Sequence, residues 1–125
     1  MARLSRHGRR VVYVLQVPEL GVPAQNYVQR PLTLTKGKTG CSVDRAIYLA
    51  RMKSYRDLVA NLHLNSAFFR TVDPISIFCD SLKCRGFRDG QLLYADDNHL
   101  SVLGSRKLAP LILQALLNGK SPGPT

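Results

Sequence analysis

QLLYADDNHLSVLG, residues 91–104, is the stretch from which the fold can be read. Residues 91–94 form a short apolar run of strand type, and from Leu100 a helical apolar pattern continues to Leu117. Between the two lie Asp96, Asp97 and His99, on what reads as a strand-to-helix turn. An aspartate three residues before a histidine on such a turn can accept a hydrogen bond from one ring nitrogen. It thereby sets the tautomer and leaves the other nitrogen free to take a proton. A pair of that kind is two-thirds of a nucleophilic hydrolase or acyl-transfer site. The competing reading is a polar cap, with Asp97 or Asn98 at the head of the last helix and His99 simply exposed in its first turn.

Working outward, residues 11–17 (VVYVLQV) are β-branched and nearly continuous in apolarity. This is the pattern of a strand buried on both faces of a parallel sheet, and Pro18 ends it. Residues 19–41, with Pro23, Pro31 and several glycines, read as a long loop. Ser42 is a candidate N-cap for a helix over residues 43–64, with Asp44 in its first turn. Ile47, Ala50, Met52, Tyr55, Leu58, Val59 and Leu62 make its apolar stripe. Arg45, Arg51, Lys53, Arg56 and Asp57 are expected to face water, and His63 reads as a cation at the helix end. Residues 68–73 (FFRTVD) read as a second strand stopped by Pro74, and residues 75–90 as a helical turn plus loop. The last helix turns Leu103, Leu108, Leu111, Ile112, Ala115 and Leu116 toward a core. Strand, loop, helix, strand, loop, short strand, helix is an α/β order with a parallel sheet. Two firm strands are few for a doubly wound sheet, so the expectation is part of one.

Composition narrows the function classes. The 125 residues allow one domain, and no window approaches the roughly eighteen apolar residues of a membrane span. Residues 1–10 are basic and residues 11–17 apolar, but no small-residue cleavage site follows, so no export signal is read. The net charge of +10 invites a nucleic-acid partner. The cations are scattered from Arg3 to Lys120, however, tryptophan is absent, and no nucleic-acid signature appears. A basic surface facing an anionic envelope or polysaccharide accounts for the charge as well. Cys79 and Cys84 have four residues between them and can form a disulfide, which implies an oxidising compartment. The alternatives are half a zinc site completed by Cys41 or His99, or two buried free thiols. No second ligand pair has zinc spacing, and no metal or cofactor is expected. Cys41 is taken as a free thiol.

Asp96-Asp97-Asn98-His99-Leu100-Ser101 resembles the closing Asp-x-x-His-Leu-Ser motif of the SGNH (GDSL-like) hydrolases. Val17-Pro18-Glu19, Phe78-Cys79-Asp80 and the second cysteine, Cys84, resemble one branch of that superfamily. In that branch the domain is fused behind a membrane-embedded acyltransferase-3 domain in bacterial enzymes that O-acetylate surface polysaccharides. The likeness runs from about Arg9 to Leu117 and covers the second half of such a domain. It implies the C-terminal half of a three-layer α/β/α fold with a parallel sheet, placed on the periplasmic side of the inner membrane. Residues 1–8 are then the end of a helix or a disordered start, residues 9–118 a partial domain, and residues 119–125 a disordered tail. The resemblance makes His99 the general base and acid for a serine, Asp96 its orienting carboxylate, and Asp97 the alternative. The implied partners are an acetylated or acetyl-accepting surface glycan, the upstream half of the domain and the membrane acyltransferase domain.

The nucleophile is the missing piece. The family's serine lies in a Gly-Asp-Ser motif, and its oxyanion hole draws on glycine and asparagine in two later blocks. This sequence has no Gly-Asp-Ser and no Gly-x-Asn-Asp. Gly40-Cys41-Ser42 and Gly104-Ser105 do not follow a buried strand, so no nucleophile is assigned within the chain. The expectation is a C-terminal piece of an SGNH-type acyltransferase or esterase, inactive alone. The reading from another class is a small basic binding protein for an anionic polymer or nucleic acid, whose DDNH turn is a helix cap.

Overall fold

The computed structural model describes residues 9–21, 41–64 and 68–118, without the side chains of His63 and Leu64. The expectations for residues 1–8 and 119–125, for most of the 19–41 loop and for the His63 side chain therefore lie outside the described residues. The elements, in order, are β1 (Val11–Val14), β2 (Ser42–Asp44), α1 (Arg45–Leu64), β3 (Phe69–Val72), α2 (Ile75–Phe78), β4 (Lys83–Arg85), β5 (Phe87–Arg88), β6 (Gln91–Leu92) and α3 (Val102–Leu117).

β1 and β3 pair in parallel, Val11 opposite Phe69 through Val14 opposite Val72. The Leu15 N–H extends the ladder to the Val72 carbonyl at 2.9 Å. Parallel neighbours need a crossover between them, and α1 lies within it. Its Tyr55, Val59 and Leu62 pack on Val11, Tyr13, Leu15 and Phe69, and the Tyr55 and Tyr13 hydroxyls meet at 3.1 Å. α3 lies along both strands, and its Leu111 and Ala115 line a groove with Arg70 and Val72. The result is mixed α/β with a small parallel sheet.

Several expectations change in three dimensions. β1 is shorter than residues 11–17, and all four of its residues are half-buried, not enclosed on both faces. Among the described residues it has one strand neighbour, β3. Ser42 does not cap α1. Ser42–Asp44 pair antiparallel with Lys83–Arg85, and the helix begins at Arg45, whose N–H donates to the Leu82 carbonyl at 2.8 Å. A backbone ladder satisfies more donors than one serine hydroxyl can. That entry turns the helix so that Tyr48, Met52, Tyr55, Val59 and Leu62 form its inner face, while Ile47, Ala50 and Leu58 are exposed. Tyr48 is buried and donates its hydroxyl to the Gln16 carbonyl at 3.1 Å. Arg56 is not a solvent-facing charge, because it is ion-paired with Asp73. Asp73 also accepts the Ile75 N–H at 3.0 Å, so it joins α1 to the start of α2.

Residues 75–90 contain more strand than the helical turn and loop expected of them. Asp89 and Gly90 have φ of 52° and 76°, and two consecutive left-handed residues make the tight turn between β5 and β6. Gln91–Leu92 therefore pairs with Phe87–Arg88 and not with the parallel sheet. After it, Leu93 and Tyr94 drop into a core with Leu20, Cys41 and Phe78.

The Cys79 and Cys84 sulfurs are bonded, closing the hairpin that follows Phe78. A loop this small stabilises by about 2 kcal/mol on the chain-entropy argument. Under non-reducing conditions the intact mass is expected to be about two daltons below the reduced value. Peptide mapping should link Cys79 to Cys84, and the Cys84→Ser chain should unfold at lower denaturant. Free thiols at both positions after oxidising expression would contradict the bridge.

Candidate active site

Asp96 and His99 meet in a turn that the backbone closes independently of either side chain. The Ala95 N–H donates to the His99 carbonyl at 2.8 Å, and Tyr94 and Leu100 form a bridge across the base. Within the loop, Asp96 Oδ1 accepts the N–H groups of Asn98 at 2.9 Å and His99 at 2.6 Å. Its other oxygen, Oδ2, lies 2.8 Å from His99 Nδ1. One carboxylate oxygen thus holds the turn, and the other holds the ring. The Asn98 and His99 N–H groups, followed by the imidazole, keep the Asp96 carboxyl below the usual carboxylate range. It is anionic throughout the pH range in which a histidine exchanges protons. With Nδ1 engaged, His99 presents Nε2, and its side chain is 74% exposed.

Asp97 has another role in the turn. Its carbonyl accepts the Leu20 N–H at 2.8 Å, tying the segment after Pro18 to the loop. Neither Asp97 nor Asn98 caps the last helix. Ser101 does, because its hydroxyl accepts the Gly104 N–H at 3.1 Å and donates to the Leu92 carbonyl at 2.8 Å. A side chain at Gly104 would strike the Leu93 carbonyl oxygen, so glycine is required where α3 passes over the backbone of Leu93. Leu92, Leu93, Ser101 and Gly104 together fix the helix start just behind His99.

The three short motifs converge beneath this turn. Val17 and Leu20 flank a buried Pro18 and pack into the cluster that holds Leu93 and Tyr94. Phe78 stands edge-on to Tyr94, with ring centroids 5.6 Å apart, immediately before the disulfide. Tyr94 is fully buried, and its hydroxyl has no hydrogen-bond partner among the described residues. Burial pushes its ionisation far up. An unsatisfied buried hydroxyl costs about 1–3 kcal/mol. Tyr94→Phe is therefore expected to raise the thermal midpoint by a few degrees. A lower midpoint would mean that the hydroxyl has a partner in the folded protein.

Asp80 shows the same hydrogen-bonding device as Asp96. The Lys83 and Leu82 N–H groups, with Arg85, hold its carboxyl down to about 2. A depressed carboxylate stabilises the fold above its unfolded value of about 4, and that contribution disappears as pH falls through its folded value. Wild type should lose stability between about pH 4 and pH 2, and Asp80→Asn should flatten that limb in an acid titration followed by circular dichroism. Superimposable limbs would show that Asp80 is not linked to folding.

Of the remaining cysteine, burial pushes the Cys41 thiol up to about 11, and it is unpaired. Cys79 and Cys84 cannot serve as zinc ligands while bonded to each other. Among the described residues no group of three His, Cys, Asp or Glu has metal-holding geometry. Nor does any serine hydroxyl in those residues bond His99: Ser101 is committed to its cap, and Ser105 is exposed within α3. The signals that sequence reasoning passed over were Ser101, which sits in the Leu-Ser pair itself, and the Asp89-Gly90 turn.

A parallel strand pair with helices packed on it, together with an aspartate-held histidine on the turn that leads into α3, defines the class: an α/β domain with an acid–imidazole pair. The family model of the SGNH domain (fused to AT3 domains) matches residues 1–114, and the chain belongs to that family. Neither a curated protein nor a solved structure matches it. No helix among the described residues is long and apolar enough to cross a membrane.

Proposed function

We propose that the chain is the Asp–His part of an SGNH acyltransferase or esterase domain acting on O-acetyl groups of cell-surface polysaccharide. The serine comes from polypeptide outside these 125 residues. The single observation that carries this reading is the 2.8 Å contact between His99 Nδ1 and Asp96 Oδ2 in a family member. In the completed site Nε2 takes the serine proton as the oxygen attacks the acetyl carbonyl. The imidazolium, supported by Asp96, then protonates the departing oxygen. A sugar hydroxyl or water, activated by the same nitrogen, resolves the acetyl-serine. The completed domain is a three-layer α/β/α sandwich on the periplasmic side of the membrane, and the fused acyltransferase-3 domain supplies acetyl groups. The net charge of +10 suits an anionic envelope glycan.

The test is co-expression with the upstream half of a related SGNH domain that carries Gly-Asp-Ser. Hydrolysis of an activated acetyl ester should appear, and should depend on both that serine and His99. Hydrolysis by the 125-residue chain alone, abolished by one serine change within it, would overturn the proposal.

A further inference from the structure

Beside the disulfide a groove of about 610 Å³ is lined by Cys79, Asp80, Arg85, Phe87, Arg88 and Asp89. Its walls are fixed before any ligand arrives. The Cys79–Cys84 bond closes the hairpin, and Asp80 Oδ1 accepts the Leu82 and Lys83 N–H groups at 2.8 and 2.7 Å. Asp80 Oδ2 accepts Arg85 Nε at 3.0 Å, which orients that guanidinium while engaging one of its three nitrogens. Arg88 has no hydrogen-bond or ion-pair partner among the described residues. Phe87 is 41% exposed on the same groove.

The donors and acceptors of this groove do not balance. Both oxygens of Asp80 are spent, and the remaining carboxylate, Asp89, sits at the exposed tip of the β5–β6 turn. Two guanidinium forks keep most of their N–H groups, so the groove calls for a ligand rich in acceptors, and a carboxylate fits a fork in plane. An exposed ring beside them gives the C–H face of a pyranose a surface to lie on. The groove is also tied to the turn that holds His99. Phe87 pairs with Leu92, and Ser101 bonds the Leu92 carbonyl through its hydroxyl and the Leu93 carbonyl through its N–H.

We propose that this groove binds a uronic acid residue of the polysaccharide substrate, its carboxylate on Arg88 and Arg85 and its ring on Phe87; the identity of that substrate rests on the function proposed above. The carboxylates of Asp80 and Asp89 beside the arginines disfavour a run of phosphates, and one aromatic ring is a poor platform for successive bases. Nucleic acid is therefore the weaker occupant.

The experiment measures binding of fluorescently labelled trigalacturonic acid to the full 125-residue chain by polarisation at fixed salt. Arg88→Gln and Phe87→Ala should each weaken binding at least tenfold. Arg51→Gln, which removes the same charge from an exposed position on α1, should leave it unchanged. Asp89→Asn, which removes a like charge, should tighten it. The methyl-esterified trimer keeps the sugar rings and loses the charges, and it should bind at least tenfold more weakly. That comparison needs no variant, so it decides the matter even where a substitution disturbs the hairpin. Equal losses with Arg88→Gln and Arg51→Gln, equal affinity for acid and ester, or no binding by the parent chain overturns the inference. So does weaker binding with Asp89→Asn, or tighter binding of a single-stranded oligonucleotide through Phe87 and Arg88. The two proposals fail separately. Selective binding of the acid, without His99-dependent ester hydrolysis once the Gly-Asp-Ser half is supplied, refutes the function and keeps the groove. Hydrolysis by a chain that does not distinguish acid from ester does the reverse.

Discussion

His99→Ala, in the chain combined with a Gly-Asp-Ser half, is expected to lower turnover of an activated acetyl ester by about 10⁶-fold, with KM little changed. The imidazole acts on the transferring proton and not on the bound acyl group, so its loss falls on kcat. Asp96→Asn should cost less, about 10⁴-fold, because the ring survives in a poorer tautomer. The geometry separates the two carboxylates. Asp96 touches the ring and the turn's N–H groups, whereas Asp97 contributes a backbone carbonyl to Leu20 that any residue supplies. Asp97→Asn should therefore remain within about threefold of wild type on this reasoning. Steady-state kinetics on the three variants decide the matter. If Asp97→Asn proves the most damaging carboxylate change, Asp96 is not the orienting group.

The second large effect is an absence: the 125-residue chain alone should show no esterase or acetyltransferase activity above background. A base without its nucleophile can only activate water, in a site where the imidazole is 74% exposed. General-base help of that kind is worth about 10²–10⁴-fold and is hard to see over solution hydrolysis. The same chain should be marginally stable and prone to associate, because Leu82, Val102, Leu113 and Leu117 stand in solvent. Light scattering during expression and refolding measures this, and the upstream half should suppress it. A soluble, cooperatively unfolding, esterolytic chain would contradict both expectations.

The sequence by itself determined the elements whose signal is local. The apolar period after Leu100 became α3, the β-branched run at residue 11 became β1, and FFRTVD became β3, since these patterns work over a few residues. The Asp-x-x-His spacing set the reach between residues 96 and 99, because three residues of turn bring the two side chains within bonding distance. Tertiary structure decided everything that depends on partners far along the chain. Ser42–Asp44 became a strand because Lys83–Arg85, about forty residues away, offer a ladder, and no local rule weighs that against a cap. The inner face of α1 was set by that strand's entry angle, which buried Tyr48 and left Leu58 outside. Arg56 met Asp73 only because the parallel crossover brings α1 over β3. The cap of α3 went to Ser101, not to the carboxylates before it, because Leu92 and Leu93 pass beneath that serine and fix where the helix can start. Propensity can nominate several polar residues for one helix end, but the backbone beside them chooses one.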